Sequence, residues 1–421
     1  MSIPLSYGSM TTILERTEAN KRFETARRCS SFDKTDRVTP LWIDYMKLER
    51  GSGPNIMKIN GTTYTTGTVR VYPKGVKIPF YHKKENKGGG VFHDFDQYGM
   101  SRREEEGSNG ESEQMDEVQF SSELEFQERQ FHELLHYMDF RKDICSYDGD
   151  SLLYAMYEED GDDIVLRDIE MAREDLQLLY NRRDKNRVAY KPMSQLLIRS
   201  TDGEDIIKRS NRSLMECEDA LFKTLFGNRD SINVKCLEID YRYETPSFHP
   251  DLKLKVQELK LAYYPHKLLD AVLQIIDPSC LPLKRVSLDY LSNSKHDLIN
   301  SAKTLVIWNL NTYSFDELTK LPNREVIIYY QSYYRDIFDD AILKWMEQER
   351  PIGSYCLVYL LDEKNISRTM EKLKKHGDQI SQRCINIPKN DSSIVQVTYW
   401  SKETVWPCRT VWLLKWEVVA A

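Results

Sequence analysis

From residue 234 onward, short apolar stretches recur between polar turns. "VKCLEIDY", "VQELKLAY", "LKRVSLDY", "AKTLVIWN", "NREVIIYY" and "SYCLVYLL" each have the look of a strand. Aligned on Leu237, Leu259, Val286, Leu305, Val326 and Leu357, they step by 22, 27, 19, 21 and 31 residues. Most of these steps fall in the roughly 20–29-residue range of leucine-rich-repeat-like units. Between them lie helical or turn pieces: "HKLLDAVLQIID", "KHDLINSA", "SFDELTKL" and "DIFDDAILKWMEQE". A strand followed by a short helix, repeated, stacks into a parallel sheet lined by helices. "RCINIP", "SIVQVTYW" and "TVWLLKWEVV" predict three antiparallel strands that cap the array.

The alignment assigns faces, because side chains alternate along a strand. Leu237/Ile239, Leu259/Leu261, Val286/Leu288, Leu305/Ile307, Val326/Ile328 and Leu357/Tyr359 point to the core. Glu238, Lys260, Ser287, Val306, Ile327 and Val358 form one row of the other face. Asp240, Ala262, Asp289, Trp308, Tyr329 and Leu360 form the next. That face is polar in its first half and apolar in its second, and a contiguous apolar patch there marks a partner site. The candidate contact residues are Lys260, Ser287, Val306, Trp308, Ile327, Tyr329 and Val358. The competing reading has the C-terminal strands cover the patch through Trp412 or Trp416.

The first half reads differently. Residues 4–34 are rich in helix formers and predict a helical hairpin. Residues 38–98 predict strands and turns, with a hairpin across Asn60-Gly61. Three consecutive glycines at 88–90 fit neither phosphate-loop pattern and predict a turn. Residues 101–120 are polar and acidic and predict a disordered linker. Helices follow over 121–145, 164–183 and 210–226, the last ended by Gly227. The predicted class is α/β. A helical hairpin with a small β-rich domain spans 1–100, the linker 101–120 and a helical connecting region 121–228. A degenerate leucine-rich-repeat-like solenoid with its strand cap spans 229–421.

Composition narrows the function classes. The chain has 421 residues, 40% hydrophobic and 30% charged, an ordinary globular balance. Its apolar runs fall short of a membrane span, and its N-terminus shows no secretory pattern. The eight cysteines are scattered without C-x-x-C, which predicts reduced thiols and a cytoplasmic or nuclear location. The net charge of −7 hides an asymmetry: residues 1–100 carry +6, and residues 101–163 carry −15. The acidic stretch repels phosphate backbones. The expected partners are therefore proteins, with no nucleic acid, no membrane and no cofactor.

One motif points to chemistry. His132, Glu133 and His136 have the H-E-x-x-H spacing that puts two imidazoles on one helix face beside a carboxylate, as zinc hydrolases require. A catalytic zinc needs a third protein ligand. The continuation with a third histidine is missing, and Glu158 or Glu159 sits in a charged turn, "YEEDGDD". The bland reading, a polar helix that spells the motif by chance, is preferred. A zinc-dependent metallohydrolase using residues 132–136 is the alternative. The remaining histidines stand apart and form no catalytic constellation.

Several segments carry a resemblance. "PLSYGSMTTILERTEANKRFETARRC", "RVTPLWIDYMKL", "KINGTTYTTGTVRVYP" and "KKENKGGGVFHDFDQYG" resemble the N-terminal domain of unknown function of a nematode-expanded F-box C-type family. "LMECEDALFKTLFGNRDSINVKCLEI", "CLPLKRVSL", "SAKTLVIWN" and "WMEQERPIGSYCLVYLL" resemble its C-terminal half, and 83–99 and 213–239 are the most specific stretches. The resemblance implies an F-box-associated, leucine-rich-repeat-like recognition module without enzymatic activity. Its implied partners are a Skp-type adaptor of a cullin-type ubiquitin ligase and a ligase substrate. Adaptor docking would use Pro4, Leu5, Ile13, Leu14 and Phe23, although the helical stretch is shorter than a full F-box.

Overall fold

Three short helices open the chain. The computed structural model describes all residues except 1–6, 52, 103–116, 142–161, 202, 204, 242–247, 263–265, 292–294, 310–314, 330–337 and 404–409. Helices α1 (Tyr7–Arg16), α2 (Ala19–Arg28) and α3 (Ser30–Val38) replace the expected hairpin. Glu18 caps α2 by accepting from the backbone N–H groups of Asn20 and Lys21. Arg37 pairs with Asp33 at i,i+4, which supports the unanticipated third helix.

Strands β1 (Leu41–Arg50), β2 (Asn55–Ile59) and β3 (Thr62–Val71) form an antiparallel meander. The β2–β3 turn falls at Asn60-Gly61 as predicted, with Asn60 at φ +50. Helix α4 (Phe80–Gly88) was not anticipated; it ends at Gly89, in the left-handed region at φ +114. A Cβ on Gly89 would lie 2.5 Å from Thr65 Cγ2, so the triple glycine lets this turn cross close over β3. Strands β4 (Asp94–Phe95) and β5 (Ser101–Arg102) make a small ribbon.

Helices α5 (Glu117–Arg141) and α6 (Asp162–Arg183) pack together through Leu134, Tyr137, Met138, Val165 and Ile169. The predicted linker is partly corrected here, because α5 begins inside it; residues 103–116 lie outside the described residues. The predicted all-helical connection is corrected too. Strands β6 (Lys191–Ser200) and β7 (Ile206–Ser210) extend the sheet, with β6 antiparallel to β3. The run Leu196-Leu197-Ile198 is too short for periodicity to decide its state. Its ladder with β3 decides it. Helix α7 (Leu214–Leu225) starts with a capping box between Ser213 and Glu216.

The repeats follow: β8 (Ile232–Tyr241), β9 (Lys255–Leu261), α8 (His266–Ile275), β10 (Arg285–Tyr290), α9 (Asp297–Asn300), β11 (Thr304–Asn309), α10 (Phe315–Leu318), β12 (Glu325–Tyr329), α11 (Phe338–Met346) and β13 (Tyr355–Leu360). Helix α12 (Glu363–Leu373) and strands β14 (Asp378–Ser381), β15 (Cys384–Asn390), β16 (Ser393–Glu403) and β17 (Thr410–Ala420) close the chain. The six predicted strands are neighbours in one sheet, and β8 through β13 pair in parallel. The register matches Leu237 with Leu259, Leu259 with Val286, Val286 with Leu305 and Leu305 with Val326. These residues are buried. They share one core with Leu269 and Val272 of α8, Ile299 of α9, Ile342 and Trp345 of α11 and Ile366 of α12. Each fully buried aliphatic side chain contributes about 1.5–3 kcal/mol.

The two halves are not separate layers. Strand β1 pairs in parallel with β8, and β17 pairs antiparallel with β13. A single mixed sheet results among the described residues, in the order β14-β15-β16-β17-β13-β12-β11-β10-β9-β8-β1-β2-β3-β6-β7. The protein is thus α/β with one large mixed sheet. The C-terminal strands prolong this sheet at its edge.

A buried ionic cluster ties α2 and α3 to the repeats. Arg22 Nε lies 2.5 Å from Asp36 Oδ1, and both side chains are fully buried. Arg229 binds the other oxygen of Asp36 and donates to the carbonyls of Asp36 and Leu225. Arg22 also donates to the carbonyls of Thr39 and Pro40, where the chain turns into β1. One carboxylate thus serves two guanidinium groups. Asp36→Ala, which leaves both uncompensated, is expected to destabilise the fold by about 3–5 kcal/mol, read as a lower urea midpoint.

Candidate functional site

The outer face of the sheet, opposite the helices, carries the rows that alternation predicts. In-register parallel strands sit roughly 4.8 Å apart, so identical positions stack side by side. Trp308 of β11 stacks on Tyr329 of β12 at a centroid distance of 4.2 Å and 11° between ring planes. Tyr329 stacks in turn on Tyr359 of β13 at 4.5 Å and 20°. The row continues through Leu413 of β17, opposite Tyr359, to Trp400 of β16, opposite Leu413. Trp308 is 41% exposed and Trp400 37%, whereas Leu413 is buried. Burial, and then the neighbouring Tyr359, raise the Tyr329 phenol above its ordinary value, so this hydroxyl keeps its proton.

The polar half carries a charge cluster on β1 and β8. Lys47 Nζ lies 2.9 Å from Glu49, 3.0 Å from Asp240 and 3.4 Å from Glu238. Tyr45 donates to Glu238 at 3.0 Å. Burial alone would lower the Lys47 ammonium; the bonds to Glu49 and Asp240 outweigh it and hold the group above its ordinary value.

The predicted contact residues divide. Lys260, Ile327, Trp308 and Tyr329 lie on the outer face with partial or greater exposure. Ser287 and Val306 sit in the correct row, but both short side chains are buried. Val358 is a correction. Val326 pairs with Cys356, not with Leu357, so the last strand was aligned one residue out. A one-residue slip exchanges the faces. Val358 is therefore fully buried, and Leu357 and Tyr359 take the outer face. The missed signal was the aromatic row itself: after Trp308 and Tyr329, Tyr359 continues the pattern better than Leu360. Trp412 and Trp416 do not cover the face. Trp416 pairs with Cys356 and meets Trp345 edge-on at 6.4 Å in the core.

The adaptor candidates do not form a common face. Ile13 is 49% exposed, but Leu14 is fully buried and Phe23 packs against Phe226 in the core. Pro4 and Leu5 lie outside the described residues. His132, Glu133 and His136 lie on α5, whose buried positions Leu134, Tyr137 and Met138 face α6. Among the described residues no three His, Cys, Asp or Glu side chains gather to hold a metal ion. Glu158 and Glu159 lie outside the described residues.

Sequence reasoning also missed a polar chain at the start of α4. The Tyr72 hydroxyl lies 2.6 Å from His82 Nδ1, and His82 Nε2 lies 3.2 Å from Glu174 of α6. Burial lowers the His82 imidazole to about 4 and raises the Glu174 carboxyl to about 7. This chain anchors α6 to α4. The stretches 83–99 and 213–239 also meet: Asp94 accepts from Thr68 and from the backbone N–H of Leu214.

A family model described as "Domain of unknown function (DUF3557)" matches residues 215–360. That span runs from α7 to the end of β13, about a third of the chain. It contains Trp308, Tyr329 and Tyr359 and leaves β1, Trp400 and Leu413 outside. A comparison with curated proteins finds no match.

Two outcomes test the register and the polar chain. Val358→Asp places an unpaired carboxylate in the core and is expected to cost more than about 3 kcal/mol, whereas Leu357→Asp, next to Lys415, costs about 1 kcal/mol or less. Equal losses on urea unfolding would mean that the faces are assigned wrongly. The folded state also holds the Glu174 proton more tightly than an unfolded chain, whose carboxyl titrates near 4.5. Relative to Glu174→Gln, wild-type stability is therefore expected to fall as pH rises from about 4.5 to about 7, and then to level off. Paired denaturation curves across that range check the slope.

Proposed function

We propose that this chain is a non-enzymatic protein-interaction module that docks a protein partner on the outer sheet face along Trp308, Tyr329 and Tyr359. The observation that carries the reading is the stacked aromatic row at the partly exposed end of that face. Aromatic side chains dominate binding hot spots because each buries a large rigid area at little entropic cost. Mutual stacking fixes these rings before any partner arrives, which lowers the ordering cost of association. The Lys47 cluster makes the other half of the face a polar rim.

Within this reading the repeats are a degenerate leucine-rich-repeat-like solenoid. Its support is the parallel in-register pairing of β8 to β13, with α8, α9, α11 and α12 sharing the core side. Membership of the F-box C-type family rests on the sequence resemblance. It makes substrate recognition within a cullin-type ubiquitin ligase the working role, in the cytoplasm or nucleus. Adaptor capture through Leu14 and Phe23 is not part of the proposal, because both side chains are buried.

Proteins that co-purify with the intact chain supply the ligand for the test. Trp308→Ala and Tyr329→Ala are each expected to weaken partner binding by about 2 kcal/mol, roughly thirtyfold, with little change in melting temperature. Trp42→Ala, at an exposed position of β1, serves as the control. Binding unaffected by both aromatic changes would remove the row from the interface. A pull-down with a Skp-type adaptor tests the ligase role separately.

A further inference from the structure

Residues 73–88 lead from the end of β3 through α4 and form a wedge of exposed lysines and apolar side chains. Five lysines lie within it, Lys74, Lys77, Lys83, Lys84 and Lys87, and all are exposed. Among them stand three exposed apolar side chains: Val76 at 42%, Ile78 at 40% and Phe80 at 70%, the highest value among the large hydrophobic residues described. The segment holds one carboxylate, Glu85, and Arg70 engages it.

Helical geometry sorts these residues. Positions three and four apart share a helix face. Phe80, Lys83, Lys84 and Lys87 therefore project together from α4, while His82, Glu85 and Asn86 take the opposite side. That opposite side is fastened down. Asn86 accepts from the Arg70 N–H at 2.9 Å and donates to the Arg70 carbonyl at 2.7 Å, and His82 meets Tyr72 and Glu174. The acids of α6, Glu174 and Asp175, thus approach α4 from its inner side. The outward face keeps its positive charge, and the preceding loop, turned at Gly75 with φ +87, adds Lys74, Val76, Lys77 and Ile78 beside it.

We propose that this wedge attaches the protein to an anionic lipid surface, with Val76, Ile78 and Phe80 entering the headgroup boundary and the lysines facing acidic headgroups. Apolar side chains ringed by lysines match both layers of such a surface. A nucleic acid would use the charge but would leave Val76 and Ile78 nothing apolar to enter. This departs from the membrane-free expectation, which rested on the lack of an apolar span. No helix among the described residues is long and apolar enough to cross a membrane. A surface wedge needs no span.

Sedimentation of the full chain with vesicles decides it. Phosphatidylcholine vesicles containing phosphatidylserine are expected to carry the protein down, pure phosphatidylcholine vesicles far less, and high salt to release it. Ile78→Ser/Phe80→Ser should weaken binding at least about tenfold. Lys83→Ser/Lys84→Ser should weaken it by roughly fivefold per charge. Ile207→Ser/Lys208→Ser, at exposed positions of β7, should leave it unchanged. Circular dichroism confirms that each variant folds. Protein left in the supernatant, or binding indifferent to both wedge variants, overturns the proposal. So does binding that follows the lysines alone and is matched by a duplex oligonucleotide, which would mark a general polyanion face.

Discussion

In-register parallel pairing governs most of what this molecule is. When β8 to β13 align at the same height, every side-chain type becomes a row across the sheet. On the inner side the rows are aliphatic, so successive helices can bury the same face against them. On the outer side the same register brings Trp308, Tyr329 and Tyr359 within stacking distance, although 21 and 30 residues separate them along the chain. Core and candidate docking surface are thus two faces of one constraint. A slip of a single residue in one strand would remove both at that position.

That constraint needs a beginning, because a bare parallel edge would expose unpaired backbone groups. Strand β1 supplies the partner for β8, and the buried Arg22–Asp36–Arg229 cluster sets how the helices before β1 meet the repeats. Arg37 adds bonds to the carbonyls of Thr224 and Gly227 at the end of α7. Residues near the start of the chain and residues near 229 are therefore bound into one unit. This explains why α1 to α3 do not stand out as an independent docking hairpin: Leu14 and Phe23, two of the apolar residues that would dock an adaptor, are already buried.

The surfaces divide by physical character. The outer sheet face carries aromatic area beside the cluster of Lys47 with three carboxylates. The α4 wedge carries exposed lysines, with no ion pair among the described residues, beside apolar tips. These chemistries suit different counterparts, and they are built on different elements. Between α4 and α6, Tyr72, His82 and Glu174 hold the wedge's inner side, where burial favours the neutral forms of both titrating groups.

Much was legible in the residue pattern. Alternation located all six repeat strands, the C-terminal strands β15 to β17 and the Asn60-Gly61 hairpin, though not β14, and helix-forming composition located α6 and α7, because each signal is local. Trp308 and Tyr329 were found for the same reason. Periodicity failed where local preference is weak. Strand β6 needed its ladder to β3, and α4 is too short and too lysine-rich to declare itself. Leu357 and Val358 are alike as sequence, so only pairing with β12 and β17 assigns their faces. The order of side chains along the chain settled which segments of the repeats are strands and, for all of them but β13, which positions are buried. The joining of β1 to β8, the register of β13 and the burial of Leu14 and Phe23 were decided by tertiary contacts, because pairing and burial depend on what stands opposite a residue, and no single segment encodes its neighbour.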